Sequence, residues 1–362
     1  MFWGIALSCQ IQILLDGKNM KIALISFYYG SLPCYFDVWV KTARHNSDFD
    51  FLFVTDLEYD ISPLDNIKII KIGLEELREM IGEKMGFPVS IEIPYRLCDF
   101  RPAFGLIFDV ELKGYDYFGY CDIDLAFGDL SRCVTKEVLA QNEKLYHLDH
   151  FMIFKNNEKM RTLFMRGGAI WDYKTVFQSR ANTAFAFGEY LGMFLIARAN
   201  GINNYFSNDY ADISVKYSKV MSVSNHCNYD RQLFYWEDGK VLRAYIANDE
   251  VKQDEFMYIH WSKKNPVSMI ENMDLCNSFY IFPDKIVAKS SIGIPSVEEI
   301  RNLCVTIGFI GVISEHIVYY MGRIMSIVKM SKEDRVLRIN ILKNRKVNRE
   351  YRRELYCKKK NQ

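Results

Sequence analysis

The sequence predicts an α/β fold with a mostly parallel central sheet and a helical C-terminal extension, and three observations carry this expectation. Short, nearly continuous apolar runs recur at 21–28, 49–56 and 67–73, as strands covered on both faces read. Helical segments at 32–46 and 74–86 give the order β-α-β-β-α. Carboxylates stand at the far ends of two strands, where open α/β sheets collect their ligands.

In chain order, "KIALISFYY" is the first strand and closes before Gly30. "LPCYFDVWVKTARHN" reads as a helix ending in polar residues, "FDFLFVTD" as a second buried strand, and "IKIIKIG" as a third. A helical stretch at 100–114 leads into "YFGYCDIDLAFGDL" (117–130), an aromatic strand that ends in two aspartates. Beyond residue 130 the pattern loosens. "LYHLDHFMIFKNNEKMRTLF" is expected as a strand followed by a helix, and 187–201 as a helix. Residues 232–246 read as a hairpin around Asp238-Gly239, and 255–266 as a strand. An apolar helical stretch at 298–330 is interrupted by Glu315, His316 and Arg323, so it is not read as a membrane span.

Composition bounds the rest. A chain of 362 residues, 49% hydrophobic and 15% aromatic, is long enough for one large domain with an appendage. From Ser331 to Gln362 there are 12 Lys/Arg against 4 Asp/Glu, a net of +8, so the first 330 residues carry about −7 of the overall +1. Nine cysteines without a C-x-x-C pair fit a reducing compartment. Residues 1–19 lack a basic leader and are expected as an upstream extension, with the domain starting at Met20. The expected division is 20–265 for the α/β domain, 266–330 for the helical extension and 331–362 for a basic tail.

Asp122 and Asp124, spaced i, i+2 at a strand end, can converge on one hard cation such as Mg²⁺ or Mn²⁺. Such a cation bridges a diphosphate and offsets the charge that develops as its bond breaks. The alternative is a pair of turn-capping aspartates. Asp129, after Gly128, reads as a turn or cap residue rather than a ligand.

The segments "PYRLCDFRPAFG" (94–105) and "YDYFGYCDIDLAFGDL" (115–130) resemble an uncharacterised bacterial family of glycosyltransferase-like proteins found among capsule and lipopolysaccharide assembly enzymes. Weaker likeness continues through "HFMIFKN" (150–156), "AFGEYLG" (186–192) and "YIHWSKK" (258–264), so it covers roughly residues 20 to 265. The resemblance implies a GT-A-like, Rossmann-type domain with a D-x-D metal site for Mn²⁺ or Mg²⁺. It implies a UDP- or GDP-sugar donor and a polysaccharide or lipid-linked glycan acceptor.

On that resemblance Asp122 and Asp124 are metal ligands, and His260 is placed like the third ligand of glycogenin-like enzymes. Lys263 is placed like their diphosphate clamp, with Lys264 beside it. Arg101 offers a fork for phosphate oxygens, and Asp99 either positions Arg101 or binds a sugar hydroxyl; the alternative is a surface ion pair at a helix start. Asp56, Ser26, Tyr28 and Tyr29 are candidates for the nucleotide pocket, with packing or an ordinary loop as the alternative. Glu189 is a candidate catalytic base, with a helix-surface glutamate as the alternative, and Asp149 is another candidate base or a sugar ligand. His147 and His150 flank Asp149, but no further ligand spacing supports a metal site there.

Two competing readings remain open. A HAD-type phosphohydrolase also places D-x-D after an apolar strand, but wants Thr or Val where Ala126 stands. A GT-A-like domain that has lost catalysis could serve as a binding or scaffold subunit of a polysaccharide assembly complex. Nucleic-acid binding rests on the basic tail alone. The tail and the apolar 298–330 stretch are expected to hold the protein peripherally at the inner face of a membrane, in the cytoplasm.

Overall fold

The structure, a computed structural model, describes residues 20–58, 66–214, 216–224, 226–261, 269–344, 346–347 and 350. The expected N-terminal extension 1–19 and the expected phosphate clamp Lys263 lie outside these residues.

Seven strands form the central sheet: β1 (Ile22–Phe27), β2 (Phe49–Thr55), β3 (Ile67–Lys71), β4 (Tyr117–Cys121), β6 (Lys144–Leu148), β7 (Phe151–Lys155) and β8 (Asn204–Tyr205), in the order β3-β2-β1-β4-β7-β6-β8. The first four are mutually parallel, β7 runs antiparallel to β4 and β6, and β8 runs parallel to β6. The expected mostly parallel sheet is present. Among the described residues the helices of seven residues or more are α1 (Phe36–Arg44), α2 (Leu74–Met85), α3 (Met193–Ala199), α4 (Val297–Leu303), α5 (Phe309–Lys329) and α6 (Lys332–Lys343).

Side chains alternate across a strand, and here both faces are covered. Ile22, Leu24, Phe51, Phe53 and Tyr117 join one hydrophobic cluster, while Ala23, Ile25, Leu52, Val54 and Phe118 join another. This is why β1, β2 and β4 read as unbroken apolar runs rather than alternating ones.

The first cluster is shared with a second sheet of five antiparallel strands, ordered β12-β11-β10-β14-β15. These are β10 (Gln232–Glu237), β11 (Lys240–Ala247), β12 (Glu250–Phe256), β14 (Ser278–Ile281) and β15 (Ile286–Ala288). Asp238 and Gly239 turn the expected β10–β11 hairpin with φ of 48° and 82°, the left-handed pair that a two-residue hairpin loop needs. Trp236 Nε1 donates to the Phe127 carbonyl at 2.9 Å and ties this sheet to the rest. A third sheet sets β13 (Tyr258–His260) between β5 (Leu125–Phe127) and β9 (Tyr210–Asp212).

Several expectations change. The stretch after residue 144 holds two strands, not one, because Asp149 and His150 turn the chain back into a β6–β7 hairpin; the expected helix follows only as a short turn at Glu158–Arg161. Residues 187–192 are turns, and α3 begins only at Met193. The single strand expected at 255–266 is split between β12 and β13, which belong to different sheets. The stretch 266–330 opens with β14 and β15 in the second sheet before its helices begin at Val297. The basic segment is in part a docked helix: Leu337 and Ile341 of α6 are buried in the second cluster, and Asp334 accepts from Thr183 N at 2.6 Å.

Candidate metal and donor site

The β4 strand is fully buried, and the chain leaves it at Asp122. Asp122 N donates to the His150 carbonyl at 3.0 Å, which fixes the exit. Three residues later β5 begins and pairs antiparallel with β13, placing Leu125 opposite His260. Trp261 N donates to the Asp124 carbonyl at 3.3 Å. Parallel pairing of β13 with β9 then sets Asp212 beside His260. Three strand ends distant in sequence thus bring their polar side chains to one point.

His260 is the hub. Its Nδ1 lies 2.9 Å from Asp212 Oδ1, and its Nε2 lies 3.5 Å from Asp124 Oδ1. Burial opposes its positive charge, but Asp124 and Asp212 outweigh it and hold its pKa well above the ordinary value. His150 stacks on it at 4.4 Å between ring centres. Burial, followed by its histidine neighbours, pushes His150 well below the ordinary value, so it is neutral. Neither of its buried ring nitrogens has a hydrogen-bond partner.

Donor atoms of Asp122, Asp124 and His260 all lie within 4.8 Å of one another, and so do those of His150, Asp212 and His260. Carboxylate and imidazole donors at this spacing fit a divalent cation. The unpartnered nitrogens of His150 are a second observation in favour.

Asp122, Asp124, His150 and His260 line a cleft of about 660 Å³ at the carboxyl ends of β1 and β4, where ligands of open α/β sheets bind. A larger cleft of about 900 Å³ lies at the opposite ends of these strands. There Lys68 bonds Asp50 at 2.8 Å and Tyr115 at 2.9 Å, and among the described residues no metal-ligating cluster faces it.

Arg101 is buried, lines the cleft and is engaged by carboxylates. Its guanidinium pairs with Asp122, donates to the Asp149 carbonyl at 2.8 Å and lies 3.1 Å from Asp149 Oδ2. A carboxylate offers about four lone-pair sites, so pairing with Arg101 does not by itself exclude Asp122 from a cation's shell.

Asp99 does not position Arg101. Fully buried, it pairs with Arg96 and accepts from Phe185 N at 2.9 Å and Phe187 N at 3.2 Å. It therefore clamps the backbone around Ala186, a cleft-lining residue held at φ 57°.

Asp149 and Glu189 both line the cleft. Glu189 accepts from the Asp149 backbone N–H, and burial raises both carboxyl pKa values. One oxygen of Asp149, Oδ1, is buried without a hydrogen-bond partner. The expected bases are thus adjacent and share one environment.

Tyr28 and Tyr29 line the cleft, and the buried Tyr29 hydroxyl has no hydrogen-bond partner. Ser26 does not face it: its hydroxyl donates to the Cys121 carbonyl at 2.7 Å inside the sheet. Asp56 is exposed and outside the lining. Asp129 is a turn residue as expected, accepting from Arg132 N at 3.3 Å. Sequence reasoning missed Asp212, although "YAD" ends a short strand in a carboxylate as "CDID" does. It also missed Tyr35, Tyr190 and Arg338, which join the lining. The Ser331-x-x-Asp334 cap, with Ser331 Oγ accepting from Asp334 N at 3.0 Å, was the available signal for the helix that carries Arg338.

A mixed α/β domain with clustered carboxylates and imidazoles at parallel strand ends is the class that fold and site define. The chain belongs to a family of unknown function, DUF6625, whose model matches residues 24–290. No curated protein matches it. Among solved structures it is similar to the glycosyltransferase GlyE of Streptococcus pneumoniae TIGR4, at 15% identity and TM-score 0.24, over 40% of this chain and 38% of that one. The galactosyltransferase LgtC, solved with donor and acceptor sugar analogs, matches at 12% identity and TM-score 0.27, over 53% and 76%. Mouse xyloside xylosyltransferase 1 in its apo form matches at 9% and 0.32, over 54% and 88%. At such TM-scores these likenesses carry no argument about this chain.

Proposed function

We propose that the protein is a metal-dependent glycosyltransferase that moves a sugar from a nucleoside-diphosphate donor to a polysaccharide or lipid-linked glycan acceptor. This is the chemistry of capsule or lipopolysaccharide assembly. The observation that supports it best is the convergence of Asp122, Asp124 and His260 in a cleft whose lining also carries Asp149 and Glu189. A divalent cation held there offsets negative charge on the departing diphosphate. The imidazole in the set favours Mn²⁺ over Mg²⁺. Tyr28 and Tyr29 offer ring faces to the donor base. The neighbouring carboxyls suit holding a sugar hydroxyl or taking its proton. The basic C-terminal region suits a peripheral seat at the inner face of a membrane, where lipid-linked acceptors stand.

A binding or scaffold role is the second reading. The observation that favours it is Arg101, whose charge is already engaged by Asp122 and Asp149.

Calorimetric titration of UDP and GDP, with and without Mn²⁺, separates the two. Metal-dependent binding of one nucleotide, lost in Asp124→Ala, is the expected result. Failure of UDP, GDP, CDP and CMP to bind, or binding indifferent to metal and to Asp124, would overturn the transferase reading.

A further inference from the structure

Helix α5 is turned inside out for a helix at a protein surface. Three polar side chains on one side of it meet the domain. Glu315 accepts from Ser218 N at 3.1 Å and from Ser218 Oγ at 2.6 Å, His316 Nδ1 lies 3.1 Å from the Tyr217 hydroxyl, and Lys216 Nζ lies 3.2 Å from the Tyr320 hydroxyl. Its apolar side chains face outward. Ile310, Ile313, Ile317, Val318, Met321, Ile324, Met325 and Val328 are between 43% and 82% exposed. At 100° per residue these eight positions fall within one arc of roughly 140°, centred opposite Glu315, Tyr319 and Arg323. An ordinary surface helix buries such a stripe against its own core.

We propose that this face of α5 is a membrane-seating surface that lies in the plane of an anionic lipid leaflet. This deepens the peripheral contact of the proposed function, assigning it to a helix face rather than to the tail alone. Charge selects the occupant. From residue 309 to the end the chain carries 14 Lys/Arg and 5 Asp/Glu, a net of +9. The one acid on α5, Glu315, is engaged by Ser218 on the inner side. An apolar stripe on a chain segment of net positive charge is complementary to apolar lipid tails beneath anionic head groups.

A second copy of the chain fits less well. Pairing through α5 would bring two regions of like charge together. The arc is also broader than a two-stranded coiled-coil seam, and the positions flanking its centre, Val318 and Met325, are apolar where such a seam carries paired charges. Among the described residues no helix is long and apolar enough to cross a membrane, which leaves an in-plane seat. The helix is about 30 Å long. It leads directly into α6, which carries Arg338 and Ile341 to the lining of the donor cleft. Seating α5 would therefore hold that cleft close to the leaflet.

The test is flotation of the full chain with vesicles of phosphatidylcholine, alone or with phosphatidylglycerol. Wild type is expected to float with the anionic vesicles and to be released by salt. The variant Ile317→Glu/Met321→Glu/Ile324→Glu, changed only at exposed positions, is expected to lose about tenfold or more in partitioning with its melting temperature unchanged. If the triple variant fails to melt cooperatively, Met321→Glu alone is read instead. Absence of wild-type binding, or a variant that floats as well as wild type, overturns the proposal. So does a wild-type dimer in light scattering that the variant makes monomeric, which would assign the face to a second copy. Because partitioning needs neither nucleotide nor metal, its failure leaves the donor-site reading standing.

Discussion

Asp212 Oδ1 and His260 Nδ1 lie 2.9 Å apart, and this contact sets which face of the imidazole ring nitrogen pair looks toward Asp124. A carboxylate behind a metal-binding histidine fixes ring orientation and raises ligand basicity, and its removal typically costs 10–100-fold in metal affinity. Asp212→Asn is accordingly expected to weaken Mn²⁺ binding by about that factor, with the melting temperature of the metal-free protein little changed. Direct Mn²⁺ titration followed by electron paramagnetic resonance measures this without any turnover. Unchanged affinity would show that Asp212 does not act through His260.

The Arg96–Asp99 pair makes a prediction about stability rather than chemistry. Both side chains are essentially inaccessible, and Arg96 also donates to the Val176 carbonyl at 2.8 Å and the Thr183 carbonyl at 3.1 Å. Removing one partner of a buried pair strands the other charge, at a cost of about 3–5 kcal/mol. Asp99→Ala should therefore lower the urea midpoint steeply. Arg96→Met combined with Asp99→Ala should recover part of the loss, because no charge is then left unpaired. A double variant less stable than Asp99→Ala would mean that the Arg96 bonds to backbone carbonyls outweigh the pair.

Gly188 marks where the cleft wall leaves no room for a side chain. A Cβ there would fall against the carboxylate of Asp149. Gly188→Ala must push Asp149 away from Arg101 or shift the 186–189 turn, and overpacking of this kind costs about 1–3 kcal/mol. The expected outcome is a moderate loss of stability with a larger loss of nucleotide affinity. The pair of measurements is a urea titration and a nucleotide titration on the same variant; a loss confined to stability would detach Gly188 from the site.

What could be read from the sequence was local. The apolar runs of β1 and β2, the Asp238-Gly239 turn and the strand that ends in Asp122 each carry their signal within ten residues. The site does not. His260 meets Asp124 only because β13 pairs with β5, and meets Asp212 only because β13 also pairs with β9. No short spacing encodes either pairing. Asp99 has one near partner, Arg96 three residues before it, but its backbone partners Phe185 and Phe187 lie far along the chain, while Arg101 turns instead to Asp122 and Asp149. The docking of α6 escaped a reading that summed charge from residue 331 onward and did not follow Leu337 and Ile341 on one helical face.

Lys144 gives the clearest dependence on pH. It is buried on β6, its ammonium donating to the Tyr146 carbonyl and standing 5.6 Å from the centre of the Phe154 ring. Burial lowers its pKa from 10.5 to about 7, against a smaller upward pull from Asp149. The unfolded chain keeps this proton up to about pH 10.5, while the folded chain releases it near 7. Between those values the unfolded state binds more protons, so stability rises with pH, by about 1.4 kcal/mol per unit from this one group. Below pH 7 the full cost of charging Lys144 is present. Lys144→Met should thus be more stable than wild type at pH 6. The advantage should shrink through pH 8 and 9 and end as a small deficit near pH 10, where only the lost bond to Tyr146 counts. Urea unfolding of both proteins from pH 6 to 10 measures the difference directly. Parallel profiles would mean that the ammonium is hydrated or paired in solution and that burial does not set its charge.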